Sequence, residues 1–316
     1  MNLQTSQTLR RSTDAADAAA VLLRDLIDYA GLFPPASLAM GPSVANYDAY
    51  SRSEWNWMLG RFIVPAARLG EFEAALAELP ITKTGEAFTS WQLSALLGSD
   101  PEAEIARVRE FNAQKATTSS GRSAVVESVE VKVTNPAEIA RLSGMVPTEL
   151  VAYFEFPALN CAEFIGAVAD CGRSAKIRTG GETADKFPAR ESVVEFIRLC
   201  AASGVPFKAT AGLHHPLRSV QRFTYQPESA SGIMHGFINV FLAAAFLRAG
   251  MEAELAVQLL DEQSAQAFQC ESDRVGWRQH RLSPSEIADT RGKLAVSFGS
   301  CSFTEPIEDL RSLHFL

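Results

Sequence analysis

From residue 61 onward, short runs rich in β-branched and aromatic residues take turns with longer amphipathic runs. That alternation most constrains the chain, because it is the pattern of strand and helix units laid around a parallel sheet. RFIVPA at 61–66, SWQLSALLG at 90–98, AVVESVEVKV at 124–133, ELVAYFEFPA at 149–158, SAKIRTGG at 174–181 and PFKATAGL at 206–213 read as six strands. AFQCES at 267–272 and LAVSFGSCSF at 294–303 read as a seventh and an eighth. Helix starts fall between them, with Asp100 and Asn135 each set as an N-cap before a proline, and Gly204 ends the helical run that begins near 189. Eight strands at these intervals predict a TIM-type (β/α)8 barrel over 61–316, with residues 1–60 as an N-terminal extension packing on it. An open, doubly wound sheet is the alternative architecture. GLFPPASL at 31–38 is expected to cover one mouth of the barrel, and Phe33, Trp55 and Trp57 to serve as core. The polar stretch 217–232 has the length of a lid or binding loop, and a helical stretch follows from His235 to Glu262.

Bulk properties narrow the partners. The 316 residues are 47% hydrophobic and 21% charged, enough for a substantial core, and the formal net charge of -8 argues against nucleic acid or an anionic membrane. The longest strongly apolar run, 237–247, is about half the ~20 residues a membrane span needs. Five cysteines without CxxC spacing read as reduced thiols, and the N-terminus lacks the form of a signal peptide. A soluble, cytoplasmic protein follows, with a small anionic molecule as its partner and homo-oligomerisation left open. GxGxxG and Walker-type loops are absent, so no nucleotide cofactor is expected, and no other cofactor is implied.

Strand side chains alternate between two faces, so the charges can be placed. Glu130 and Lys132 share one face of their strand, Tyr153 and Glu155 one face of the next, Lys176 and Arg178 one face of the third, and Lys208 and Thr210 one face of the fourth. The opposite faces are almost wholly apolar: Val129, Val131, Val133; Ala152, Phe154, Phe156; Ala175, Ile177; Phe207, Ala209. In a barrel the apolar faces meet the helices, so Glu130, Lys132, Glu155, Lys176, Arg178 and Lys208 point to the axis, toward the strand ends where barrel active sites form. Burying so many charges costs several kcal/mol each unless they are paired, so either an ion-pair network or a catalytic centre is expected. Four cations against two carboxylates favour an anionic substrate.

Two lysines in the contexts K-x-x-T-G (Lys176) and G-x-x-F-K-x-x-A-G (Lys208), 32 residues apart, resemble the paired lysines of class I aldolases of the deoxyribose-phosphate aldolase type. The resemblance covers about residues 174–212. It implies that one lysine forms a Schiff base with a carbonyl substrate while the other lowers its pKa and assists proton transfer. VESVEVKV is similar to an acidic strand segment of that family, with Glu130 or Lys132 standing where the family has an aspartate. The chain departs from the pattern in four respects, one being its greater length with an extra N-terminal segment. Its lysine strands count as fifth and sixth where the family has sixth and seventh, Arg178 has no counterpart, and GLHHP replaces a glycine-rich phosphate-binding turn. Independently of any family, burial and a second cation both disfavour a lysine's charge and make the amine available, and Glu155 is placed to shuttle its proton.

The expected reaction is Schiff-base lyase or aldolase chemistry on a sugar phosphate or keto acid. Lys176, Lys208, Glu155, Lys132 and Glu130 are the catalytic candidates. Arg178, Thr179, Gly180, Gly181, Thr210, His214, His215, Ser300 and Cys301 are the substrate-binding candidates, the RTGG and GSCS turns as anion cradles. Adjacent histidines diverge at a strand end, so only one of His214 and His215 is expected at the axis. Two other readings remain: a metal-assisted hydrolase or isomerase using Glu155, His214, His215 and Cys301, and a non-catalytic binder of an anionic metabolite. No HxH or HExxH spacing supports the metal, and none is expected.

Overall fold

The computed structural model describes residues 17–80, 90–114 and 122–316. Residues 1–16 of the expected extension lie outside the described residues. Eight parallel strands close into a barrel surrounded by helices. In chain order they are β1, Ile27–Tyr29; β2, Leu59–Pro65; β3, Ser90–Leu96; β4, Ser123–Lys132; β5, Val151–Glu155; β6, Ser174–Arg178; β7, Phe207–Thr210; and β8, Ala295–Ser300. Each pairs with its neighbours in sequence, and β1 closes the ring between β8 and β2.

The count of eight agrees with the sequence pattern, but its composition differs at two places. The first strand lies inside the stretch expected to be an extension, so the barrel begins before residue 61. It has only three residues with a carboxylate, Asp28, in the middle, too short and too polar for a periodicity argument. The run at 267–272 is not a barrel strand. Phe268–Cys270 pairs antiparallel with Val275–Trp277, which pairs with His280–Leu282, making a separate three-stranded sheet. Once β1 is counted, Lys176 stands on the sixth barrel strand and Lys208 on the seventh.

The apolar faces pack outward as alternation requires. Val129, Val131, Ala152, Phe154, Ala175, Ile177, Phe207 and Ala209 are all buried beneath the helices. Helix starts are fixed by side chains: Asn135 and Ser283 each make a capping box with the glutamate three residues on, followed directly by proline. The helix Arg190–Ser203 ends at Gly204, whose φ of 64° is the left-handed conformation that glycine adopts without strain. Phe237–Arg248 is apolar on every side and is accordingly buried almost throughout, against its helical neighbours and β8. The helical stretch expected to reach Glu262 breaks at Gly250, φ 95°, and resumes as Ala253–Asp261.

Two irregular segments shape the C-terminal mouth. The loop after β1 brings Phe33, Pro34 and Pro35 to the rim, while Phe33, Trp55 and Trp57 also pack partly buried on the core. The stretch expected as a polar loop forms a hairpin, Ser219–Arg222 against Ser231–Met234. It places buried Phe223 5.2 Å, centroid to centroid, from Phe187 and at the edge of the mouth. No described helix is long and apolar enough to cross a membrane.

Candidate active site

A cleft of about 710 Å³ opens at the C-terminal end of the barrel, lined by Ala30, Ile63, Leu96, Lys132, Glu155, Arg178, Thr210 and Gly299, one from the end of each strand or the turn just beyond it. Glu130 and Lys176 reach it from one layer deeper. The register explains the grouping. Lys132 lies beside Glu155, Glu155 beside Lys176, and Lys176 beside Lys208 across four adjacent strands.

Beneath the cleft the charges form a connected network. Glu130 sits between the lysines: Lys208 Nζ donates to its Oε1 at 2.6 Å, and Lys176 Nζ lies 2.7 Å from its Oε2. Lys208 Nζ also donates to Asp28 Oδ2 at 2.6 Å, and lies 5.5 Å from the centre of the Tyr153 ring. Hydroxyls and a backbone amide also donate to these carboxylates. Ser94 donates to Glu130 at 2.7 Å and receives a bond from Ser128, while Ser297 and the Arg61 amide each donate to Asp28 at 2.8 Å. Lys176 Nζ makes a second ion pair, 2.8 Å, with Glu155 Oε2, and the other oxygen of Glu155 accepts from Arg178 Nε at 3.2 Å.

These contacts decide the charge states. Burial opposes ionisation of Glu130, but Lys176 and Lys208 outweigh it and hold the carboxyl well below the usual carboxylate range. Burial likewise disfavours the Lys208 ammonium, yet Asp28 and Glu130 more than compensate and raise its pKa above the ordinary lysine value. Lys208 is therefore a fixed cation, and the sequence argument that burial and a second cation free an amine does not apply to it. The deciding partner, Asp28, was missed because β1 was not recognised. The signal was present as a lone carboxylate within the run LIDY. Glu155 is also held below its usual range, burial being offset by Lys176 and then Arg178.

No protein-family model and no curated protein sequence matches this chain. The geometry carries the functional argument.

The substrate-binding candidates separate into distinct groups. Arg178 is at the rim with its side chain 50% exposed, and Lys132 is exposed and lines the same cleft. Thr179 is fully buried and donates to the Thr210 and Ala211 carbonyls, tying β6 to β7 without lining the cleft. Gly180 packs against Gly212, where a Cβ on either would come within 2.8 Å of the other's Cα, and both abut Phe187. Gly181 and Thr210 line the cleft. His214 lines it as well, whereas His215 turns away to Asp309, 2.6 Å from Nδ1. Ser300 is buried and its carbonyl accepts the Ala30 amide.

Cys301 reaches the cleft within a second cluster that sequence reasoning only partly anticipated. Its Sγ lies 4.0 Å from His214 Nδ1 and 3.5 Å from the Tyr225 hydroxyl, and Glu305 accepts from both His214, 3.3 Å, and Tyr225, 3.1 Å. Burial works against the His214 imidazolium, but the contacts to Cys301 and Glu305 outweigh it and push its pKa up to about 9. Glu155, His214 and His215 thus each face a different partner, and among the described residues no group of three or more His, Cys, Asp or Glu side chains is arranged to hold a metal.

Proposed function

We propose that this barrel is a Schiff-base-forming lyase of the aldolase kind, acting on a small anionic carbonyl compound with Lys176 as the covalent residue. The observation that carries the reading is the division of labour between two lysines. Lys176 lines the cleft while touching two carboxylates, and Lys208 lies beneath, outside the lining, enclosed by Asp28 and Glu130. In support stands the strand order: Lys176 and Lys208 occupy the sixth and seventh strands, the positions they hold in the aldolases their motifs resemble.

The chemistry balances on residues already at hand. The Lys176 ammonium passes one proton to Glu155, and the freed amine adds to the substrate carbonyl carbon. The carbinolamine then loses its oxygen as water, which carries away the two protons the nitrogen has shed, and a protonated imine remains. Such an iminium is an electron sink. When the carbon–carbon bond next to the iminium carbon's neighbour breaks, its electron pair moves to the nitrogen as an enamine, and the departing carbon's hydroxyl yields its proton to ionised Glu155 and becomes a carbonyl. Lys208 stays charged throughout and holds Glu130 ionised against Lys176.

Borohydride reduction in the presence of a panel of aldehydes and ketones, followed by intact-mass and peptide mapping, tests this. The expected result is a single reduced adduct on Lys176 that disappears in Lys176→Met. An adduct on Lys208, or none with any carbonyl compound, overturns the proposal.

A further inference from the structure

We infer that the carbonyl substrate is a 2-oxo acid, its carboxylate received by Arg178 and Lys132, an inference that rests on the Schiff-base reading above. The two oxygens of one carboxylate, Glu155, hold Lys176 Nζ at 2.8 Å and Arg178 Nε at 3.2 Å. The amine and the guanidinium are thus separated by a single carboxyl group. A substrate carbonyl bonded to Lys176 therefore has a cation beside it for a substituent only one bond away, which in a 2-oxo acid is the carboxylate. In a sugar phosphate the anion lies several bonds further off. The guanidinium spends only Nε on Glu155, leaving its terminal nitrogens for the bidentate grip that suits a planar carboxylate. Lys132, the register neighbour of Glu155 on its other side, lines the cleft and has no ion-pair partner among the described residues.

Of the glycines after β6 and β7, Gly180 and Gly212 pack against each other and Phe187, whereas Gly181 lies against Lys186 and lines the cleft. Beyond β8 the cleft is lined by Cys301, and Glu305 behind it is already engaged by His214 and Tyr225. The charge balance points the same way. Asp28, Glu130 and Glu155 stand against Lys208, Lys176, Arg178 and Lys132, leaving one positive charge at the rim, which matches a monoanionic carboxylate and not a dianionic phosphate. Glu182 and Lys186 at the outer rim are exposed and screened by solvent.

The experiment is reductive trapping with pyruvate, acetaldehyde and dihydroxyacetone phosphate as probes, read as the concentration giving half-maximal labelling of Lys176. Pyruvate is expected to label at about tenfold lower concentration than either of the others, and Arg178→Leu to erode the pyruvate-to-acetaldehyde preference by about the same factor. Arg178→Lys, which keeps the charge without the fork, restores part of it, and thermal unfolding of both variants verifies that they are folded. Labelling by acetaldehyde with no preference for pyruvate, or a preference for the phosphate, overturns the 2-oxo acid and leaves the lyase standing. A preference that survives Arg178→Leu overturns the assignment of the carboxylate to Arg178. Absence of labelling by all three overturns both the lyase and the inference built on it.

Discussion

The floor and the mouth of this barrel use the same residue types to opposite ends. On the floor, Lys208 is 1% exposed and meets Asp28 and Glu130, which also accept from serines and a backbone amide. At the mouth, Arg178 shares a single carboxylate oxygen and is half exposed, and Lys132 has no ion-pair partner among the described residues. Closed pairing fixes charge and geometry, whereas incomplete pairing leaves a cation for a ligand. Removing one partner of a buried pair strands the other, so Lys208→Met is expected to cost about 3–5 kcal/mol, read from urea unfolding at neutral pH. Arg178→Met, removing an exposed partner, is expected to cost no more than about 1 kcal/mol. Equal losses in the two variants would break the distinction between floor and mouth.

The floor also sets the pH range of stability. Glu130 has a folded pKa below its unfolded value of about 4.3, so its contribution is present above that pH and is lost as pH falls toward the folded value. Lys208 has a folded pKa above its unfolded value of about 10.4, so its contribution is present below that pH and is lost as pH rises through the folded value. Between about pH 5 and 10 the floor is therefore constant, with an acid limb shaped by Glu130 and Glu155 and an alkaline limb by Lys208. Glu130→Gln removes one carboxylate from the acid limb. Its unfolding free energy is expected to fall less steeply below pH 4.5, by up to about 1.4 kcal/mol per pH unit, the linkage of one proton. An acid limb as steep as that of the unaltered protein would remove Glu130 from the role given to it.

How much of this was legible in the sequence follows from which signals are periodic. The inward direction of Glu130, Glu155, Lys176 and Lys208 comes from alternation over strands of four to ten residues, and the barrel brings these side chains into one network. Asp28 was invisible to the same argument, because three residues provide no alternation to read. Ser94, Ser128 and Ser297 carry no pattern of their own, since a serine is as common on a surface as under a carboxylate. The run at 267–272 does form a strand, Phe268–Cys270, but barrel pairing depends on partners distant in sequence, and Val275–Trp277 offered a nearer one. One barrel strand missed and one strand wrongly assigned to the barrel left the total at eight while shifting the lysine strands by one place. The hairpin at 219–234 was hidden by its polarity, which reads as a loop whether or not its backbone is paired.

His214 provides the smallest and most selective comparison. It belongs to the mouth, and its titration falls inside the interval over which the floor is constant. With a folded pKa of about 9 against an unfolded value near 6.5, its contacts with Cys301 and Glu305 contribute stability that is fully present below pH 6.5 and lost as pH rises through about 9. Glu305 is 29% exposed, so solvent screening holds the contribution to about 1 kcal/mol. The difference in unfolding free energy between the unaltered protein and His214→Asn is expected to be flat below pH 6.5 and to decline toward pH 9. Because Glu130 and Lys208 do not change charge in that window, any pH dependence of the difference belongs to the mouth alone. A difference that stays level from pH 6 to 9.5 would mean that the imidazole is uncharged beside Cys301, and that the two ends of the cleft are not electrostatically distinct.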